Sequence, residues 1–106
     1  MTPEGQIKKD IQDYLKGIGM FFRRLQSGRV AVKRGWMKLN PIGTYDFMVC
    51  PRKGFSIGWI ETKQPKAKLR PEQVEFEIEV AALGHKTVTA MSVDDVEKWL
   101  KENEAL

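Results

Sequence analysis

Two charged side chains lie two positions apart near the end of an apolar segment. Glu61 and Lys63 belong to residues 55–63, whose aromatic and branched residues predict a β-strand. Side chains two apart in a strand point to the same face, so we expect a carboxylate and an ammonium on one surface, beside Ile57 and Trp59. Taken alone, the pair would more often be solvated charges on an exposed strand.

A second carboxylate precedes this pair. Asp46 follows the turn Gly43-Thr44, and fourteen residues separate it from Glu61. An adjacent strand beginning near Asp46 would bring the two carboxylates together, where they repel unless a cation lies between them. Mg²⁺ is held by one or two carboxylates while phosphate oxygens and waters complete its octahedron. The pattern therefore indicates a metal site, although an isolated Asp46 would more often be a turn residue.

The net charge of +4 is unevenly distributed along the chain. Residues 1–15 carry −1, residues 16–70 carry +11 and residues 71–106 carry −6. The basic segment contains only two acids, Asp46 and Glu61. Such a segment attracts polyanions, nucleic acid above all, although runs of charge are often only solvated surface.

Length and composition limit the class of protein. The 106 residues predict one domain, 1–106, because a single core serves about 100 to 150 residues. With 42% hydrophobic residues the chain resembles a globular protein, and it lacks a long apolar run or a signal-peptide pattern. The lone Cys50 cannot form an internal disulfide, which favours a reducing cytoplasm, that of the host if a phage encodes the chain.

Periodicity predicts the elements that must position these residues. A helix is expected over about 3–17, with Thr2 and Pro3 at its start and an end near Gly19. A second helix starts at Leu69-Arg70-Pro71 and ends at Gly84, and Ser92 opens a third. The predicted strands are 20–25, 30–33, 36–39, 45–50, 55–63 and 86–91.

Four short motifs in this order resemble the PD-(D/E)XK nuclease superfamily, and within it the virus-type replication-repair nuclease (VRR-NUC) domains. The motifs are an early Glu4, Gly43-Thr44-Tyr45-Asp46, Glu61-Thr62-Lys63 and Pro71-Glu72-Gln73. The resemblance extends over almost the whole chain. Tyr45 departs from the proline in the superfamily name, and Gly58-Trp59-Ile60 is less uniformly aliphatic than usual. Neither departure replaces a ligand.

The resemblance implies a fold and a set of roles. The fold is α/β and restriction-endonuclease-like, with a central mixed β-sheet flanked by α-helices. Asp46, Glu61 and the carbonyl of Thr62 would hold Mg²⁺ or Mn²⁺, and Glu4 would reach the metal directly or through water. Lys63 would orient the attacking water, and Gln73 would position Lys63 or a phosphate unless it is simply an exposed helix residue.

The implied activity is hydrolysis of DNA phosphodiester bonds, with cleavage of branched DNA, such as four-way (Holliday) junctions, by a homodimer. We expect Met20, Phe21, Phe22, Trp36 and Met37 to lie on one hairpin and to form the dimer seam, unless they pack the first helix against the sheet. The alternatives are a catalytically silent nucleic-acid-binding module, a monomeric flap or end-directed nuclease, and a scaffold with an accidental motif. The residues expected to contact DNA are Arg23, Arg24, Lys33, Arg34, Lys66, Lys68 and Arg70.

Three further residues are expected to be structural. His85 follows the helix-ending Gly84 and has no second His or Cys at ligand spacing, which favours a surface or cap histidine. Cys50 is expected to be a small buried strand residue, and Trp99 to pack the last helix on the sheet.

Overall fold

The computed structural model describes residues 2–27 and 29–106. Its helices are α1 (Pro3–Gly17), α2 (Pro71–Ala82) and α3 (Val93–Glu102). Its strands are β1 (Phe21–Arg24), β2 (Arg29–Val32), β3 (Gly35–Lys38), β4 (Phe47–Cys50), β5 (Gly58–Thr62) and β6 (Lys86–Ala90). The three predicted helices are confirmed.

Local capping accounts for the helix boundaries. The Thr2 hydroxyl accepts a hydrogen bond from the Gly5 amide at 3.0 Å, and Pro3 occupies the first turn, where its missing N–H costs nothing. At the far end of α2, the amide of His85 donates to the Val80 carbonyl, and Gly84 has a positive φ of 84°. This is the Schellman arrangement that the position of Gly84 predicts.

Four strands form a mixed sheet in the order β1-β4-β5-β6, with β4 antiparallel to both its neighbours and β5 parallel to β6. β2 and β3 form a separate two-stranded ribbon. The expectation that residues 20–25 and 36–37 share one hairpin is therefore wrong. Phe21 pairs with Cys50 across the sheet, a non-local pairing that the sequence pattern does not reveal.

The helices cover opposite faces of the sheet. Ile11 and Leu15 of α1 are fully buried in one cluster with Phe47, Ile60 and residues of α3. Trp99 is 7% exposed in this cluster and contacts Phe55, which confirms its predicted packing role. On the other face, Phe76 of α2 packs against Tyr45 and Trp59. Met20 and Phe22 are partly buried and pack against the core, which favours the alternative that they pack the sheet rather than form a dimer seam.

Four strands are shorter than predicted, namely β1, β4, β5 and β6. β5 begins at Gly58 rather than at residue 55, because the ring of Phe55 turns inward and packs against Trp99, with 5.0 Å between ring centroids. β4 begins at Phe47, two residues after the predicted start. Cys50 is only half-buried, because it lies at the end of β4, so the expectation of a buried cysteine is wrong.

No helix among residues 2–27 and 29–106 is long and apolar enough to cross a membrane.

Candidate metal centre

Three carboxylates from separate parts of the chain meet at one end of the sheet. Glu4 lies in the first turn of α1, Asp46 directly precedes β4, and Glu61 is in β5. One oxygen from each lies within 4.8 Å of the others. They line a cavity of about 620 Å³ that also contains four cationic side chains. These cations are Lys8, Arg24, Lys63 and Arg70.

Asp46 is fixed by a neighbouring strand residue. Its Oδ2 accepts hydrogen bonds from the amide of Thr62 at 2.9 Å and from the hydroxyl of Thr62 at 2.6 Å. Thr62 is fully buried, so these two donors leave Asp46 little rotational freedom. The backbone carbonyl of Asp46 also accepts from the Leu25 amide at 2.7 Å. The hydrogen bonds to Oδ2 and to the backbone carbonyl together fix the orientation of the other side-chain oxygen, Oδ1.

The loop before Asp46 is held against α2. Gly43 has a φ of 98°, and a Cβ atom there would lie 2.5 Å from the carbonyl oxygen of Glu72. Thr44 closes the turn by donating from its amide and its hydroxyl to the Pro41 carbonyl. Only glycine allows both this conformation and this close approach. The turn that precedes Asp46 is thus tied to the first turn of the helix that carries Gln73.

Glu61 is a buried carboxylate with one unsatisfied oxygen. The residue is 3% exposed, and its Oε2 accepts from Gln73 Nε2 at 2.7 Å and lies 3.3 Å from Lys63 Nζ. Its Oε1 has no hydrogen-bond partner among the described residues. The pKa of Glu61 is raised to about 7, chiefly by burial and secondly by the negative charge of Asp46, while the charges of Lys63 and Lys8 oppose the shift.

Gln73 has a different partner from the one predicted. It is 3% exposed, so the exposed-glutamine alternative is wrong. Its Oε1 accepts from the Arg70 amide at 2.9 Å, which helps to cap α2, and its Nε2 donates to Glu61 rather than to Lys63. Both ends of the amide are used, so Gln73 holds Glu61 in one orientation. The sequence placed Gln73 near the helix start but did not indicate which charged residue it meets.

The donor set fits a hard divalent cation. Three carboxylates converge, which costs energy unless a positive charge offsets their repulsion, and one of them, Glu61, has a buried oxygen with no hydrogen-bond partner among the described residues. Carboxylate oxygens are the ligands of Mg²⁺ and Mn²⁺, whereas imidazole or thiolate would favour zinc. Three of the predicted ligand residues, Glu4, Asp46 and Glu61, converge, and the fourth, Thr62, follows Glu61 in β5.

The comparisons with known proteins bear on the fold. No protein-family model matches the chain, and no curated protein does. A solved structure described as "VRR_NUC domain" superposes with a TM-score of 0.68 at 23% sequence identity, covering 96% of this chain and 97% of that chain. The chain has the VRR-NUC fold. The predicted restriction-endonuclease-like architecture, a mixed sheet flanked by helices, is therefore confirmed.

The basic residues predicted to contact DNA occupy several parts of this VRR-NUC fold. Arg24 and Arg70 line the acidic cavity. Lys66 and Lys68 are exposed in the loop that leads from Lys63 to α2. A second pair, Lys33 and Arg34, is exposed at the turn of the β2–β3 ribbon, whose base at Ser27 and Leu39 borders the cavity.

Arg23 and Arg24 do not share a face, because neighbouring strand residues point to opposite sides of a sheet. Arg23 lies 4.4 Å from the ring centroid of Phe21, while Arg24 donates to Gln12 of α1 at 3.1 Å. Contact of both arginines with DNA therefore stays a prediction, and it would require DNA to reach both sides of β1. Arg24, on the cavity side, is the better placed of the two.

Three side-chain contacts near the site were not predicted. Lys8 Nζ lies 3.4 Å from Asp46 Oδ1, and the hydroxyl of Thr62 holds the same carboxylate. The buried hydroxyl of Tyr45 donates to Glu77 at 2.9 Å, and burial is the main reason why the pKa of Tyr45 is raised. The position of Lys8, four residues after Glu4 and so on the same helix face, was the signal that could have identified it.

His85 is a cap residue, as one of the two expected alternatives had it, and its side chain is also hydrogen-bonded. Its Nδ1 accepts a hydrogen bond from Trp59 Nε1 at 3.0 Å, and the two rings stack with 6.1 Å between centroids. The prediction missed this contact because Trp59 and His85 are brought together only when β5 pairs with β6. His85 therefore accepts the hydrogen bond of the half-buried Trp59 indole. It is not one of the three residues of the carboxylate cluster.

Proposed function

We propose that this protein is a metal-dependent deoxyribonuclease that hydrolyses DNA phosphodiester bonds. The observation that carries the proposal is the convergence of Glu4, Asp46 and Glu61 within 4.8 Å, with Lys63 directly beside Glu61. The VRR-NUC fold supports it as an analogy of architecture. A scaffold or a silent binding module has no need for three carboxylates that repel one another in a half-buried cavity.

Each residue has a distinct proposed role. Asp46, Glu61, the Thr62 carbonyl and Glu4 hold Mg²⁺ or Mn²⁺, directly or through water. The ion, when bound, polarises the phosphoryl group and lowers the pKa of a coordinated water. Lys63 orients the attacking water and offsets negative charge that develops on the phosphoryl oxygens. Hydrolysis forms one bond from the water oxygen to phosphorus and breaks one ester bond, and the leaving oxygen takes up a proton.

The surroundings of the cavity favour a nucleic acid as the substrate. Arg24 and Arg70 line the cavity, and the exposed Lys66 and Lys68 follow the strand that carries Glu61 and Lys63. Cations spaced along a surface match the spacing of phosphates on a nucleic-acid strand better than they match one small anion. We propose branched DNA, such as a four-way junction, as the preferred form.

A cleavage assay tests this function. The purified protein is incubated with end-labelled linear duplex, flap and four-way junction DNA in Mg²⁺, Mn²⁺ or EDTA. We expect cleavage with either metal, none in EDTA, and none with Asp46→Asn or Glu61→Gln, while DNA binding by both variants persists. Glu75→Gln removes an exposed acid of α2 outside the cluster and serves as the control. Binding without cleavage by wild type under every condition would favour the silent-module alternative.

We also propose that the protein acts as a homodimer, because two symmetric metal sites suit the two symmetric strands of a junction. Of the predicted seam, Phe21, Trp36 and Met37 are at least 50% exposed. Val74 and Ile78, one turn apart on α2, form a second exposed apolar patch. Sedimentation of Trp36→Glu and Ile78→Glu distinguishes the two seams. A single-chain mass for wild type, with and without junction DNA, would refute the dimer and favour a monomeric flap or end-directed nuclease.

A further inference from the structure

Lys8 lies outside the four motifs that resemble the VRR-NUC domains. Its side chain nevertheless approaches the carboxylate cluster formed by Glu4, Asp46 and Glu61. Lys8 is on α1, one helical turn after Glu4, and both side chains line the same cavity. Its ammonium lies 3.4 Å from Asp46 Oδ1, and its side chain is 27% exposed. The cluster therefore contains two lysines, with Lys63 beside Glu61 and Lys8 beside Asp46.

The two oxygens of Asp46 have different partners. Oδ2 is occupied by the amide and hydroxyl of the buried Thr62, so it is not available to an incoming ion without loss of those bonds. Oδ1 is the oxygen left for a metal, and Lys8 lies against it. In the metal-free protein, Lys8 thus supplies a positive charge to the oxygen on which a metal would depend.

We infer that Lys8 exchanges partners when the metal binds, leaving Asp46 Oδ1 and contacting a phosphate of the bound DNA. This inference rests on the proposed function. A divalent cation at the cluster repels the ammonium and takes over its role as counter-ion to Asp46. The helical attachment keeps Lys8 in the cavity, where a DNA phosphate is the anion left to pair with it. Lys8 is then a counter-ion before metal binding and a substrate-binding residue afterwards.

Substitution of Lys8 should have opposite effects on the binding of Mn²⁺ and the binding of DNA. Lys8→Met removes the competing charge and keeps the apolar stem, so we expect Mn²⁺ to bind the DNA-free protein roughly threefold more tightly, the size expected for a partly exposed ion pair. The same variant should show a several-fold higher KM for DNA with a smaller change in kcat. The slope of log kcat/KM against log salt should become shallower by about one, as for one lost phosphate contact.

Two variants control for charge and for folding. Lys9→Met removes the same charge from the next position, where Lys9 pairs with Asp13 at 2.9 Å in solvent, and it should leave both measurements unchanged. Lys8→Arg keeps the cation and should retain the wild-type salt slope, while Lys8→Gln repeats the loss with a polar side chain. A purely structural Lys8 would not give tighter Mn²⁺ binding in a variant that weakens DNA binding.

The decisive experiment is calorimetric titration of Mn²⁺ into wild type, Lys8→Met, Lys8→Gln and Lys9→Met, followed by steady-state cleavage across a salt series. Tighter Mn²⁺ binding with a shallower salt slope in the Lys8 variants supports the exchange. Unchanged or weaker Mn²⁺ binding, or an unchanged slope, overturns it. If wild type binds Mn²⁺ but cuts no DNA, the proposed nuclease function fails while the titration still tests whether Lys8 competes with the metal.

Discussion

Gln73 Nε2 donates a hydrogen bond of 2.7 Å to Glu61 Oε2, while Gln73 Oε1 accepts from the Arg70 amide at 2.9 Å. One amide thus links the first turn of α2 to a carboxylate of the Glu4, Asp46 and Glu61 cluster. Because both of its ends are engaged, the side chain cannot rotate without loss of a buried hydrogen bond. The orientation of Glu61, and with it the direction of Oε1, depends on the start of α2.

Gln73→Ala should therefore weaken the site without removing a ligand. We expect metal affinity or the cleavage rate to fall by about tenfold or more, as is usual when a partner of a metal ligand is lost. Gln64→Ala, at an exposed position in the loop before α2, is the matched control and should behave as wild type. Equal activity in Gln73→Ala and wild type would show that Glu61 needs no support from α2.

Gly43 allows a comparison between backbone strain and a steric clash. Gly43 and Gly84 both have positive φ, but only at Gly43 would a Cβ meet a neighbour, the Glu72 carbonyl at 2.5 Å. We expect Gly84→Ala to cost about 1 kcal/mol of unfolding free energy. Gly43→Ala should cost roughly 3 kcal/mol, because strain and overpacking add, and it should also reduce cleavage by displacing Asp46.

Urea unfolding of both variants checks this prediction. Equal losses at the two positions would mean that the loop before Asp46 moves away from α2 without cost.

The raised pKa of Glu61 predicts a pH-dependent stability. In the metal-free fold Glu61 keeps its proton up to about pH 7, whereas in the unfolded chain it loses the proton near 4.5. The folded state therefore binds more protons between these values, so the contribution of Glu61 to stability is present below pH 4.5 and is lost as pH rises through 7. The loss amounts to at most about 3 kcal/mol.

The measurement is urea unfolding in EDTA from pH 5 to pH 8 for wild type and Glu61→Gln. The amide does not titrate, so the difference between the two should shift in favour of the variant as pH rises. A difference that stays constant with pH would contradict the environment described for Glu61.

The loop between Lys63 and α2 should contact the DNA backbone. Lys66 and Lys68 are exposed there, so the double variant Lys66→Ala with Lys68→Ala should lower the slope of log affinity against log salt by about two, one for each phosphate contact. Lys98→Ala together with Lys101→Ala removes the same charge from α3 and controls for net charge. If the two double variants show the same slope as wild type, the loop does not touch the backbone.

Part of the site could be predicted because it depends on local rules. Alternation along β5 correctly placed Lys63 beside Glu61, and the order of the strands allowed Asp46 to be brought near them. The position of Lys8 beside the site could have been predicted in the same way, since Lys8 lies four residues after Glu4 on one helix.

Other features depend on contacts between distant segments. The pairing of Phe21 with Cys50, which separates β1 from the ribbon, is non-local, and no short-range pattern encodes it. The hydrogen bond from Gln73 to Glu61 could not be predicted either, because it depends on the distance between α2 and β5 rather than on residue type. The contact between His85 and Trp59 could not be predicted for the same reason, because it forms only when β6 pairs with β5.

Titration of Mn²⁺ into the DNA-free protein tests most directly whether Glu4, Asp46 and Glu61 form one divalent-metal site. We predict measurable binding to wild type, none to Asp46→Asn or Glu61→Gln, and retained binding to Lys63→Ala, because lysine is not a ligand, although its loss should abolish cleavage. Undiminished Mn²⁺ binding by Asp46→Asn and Glu61→Gln, or loss of binding in Lys63→Ala alone, would contradict the site described for this protein.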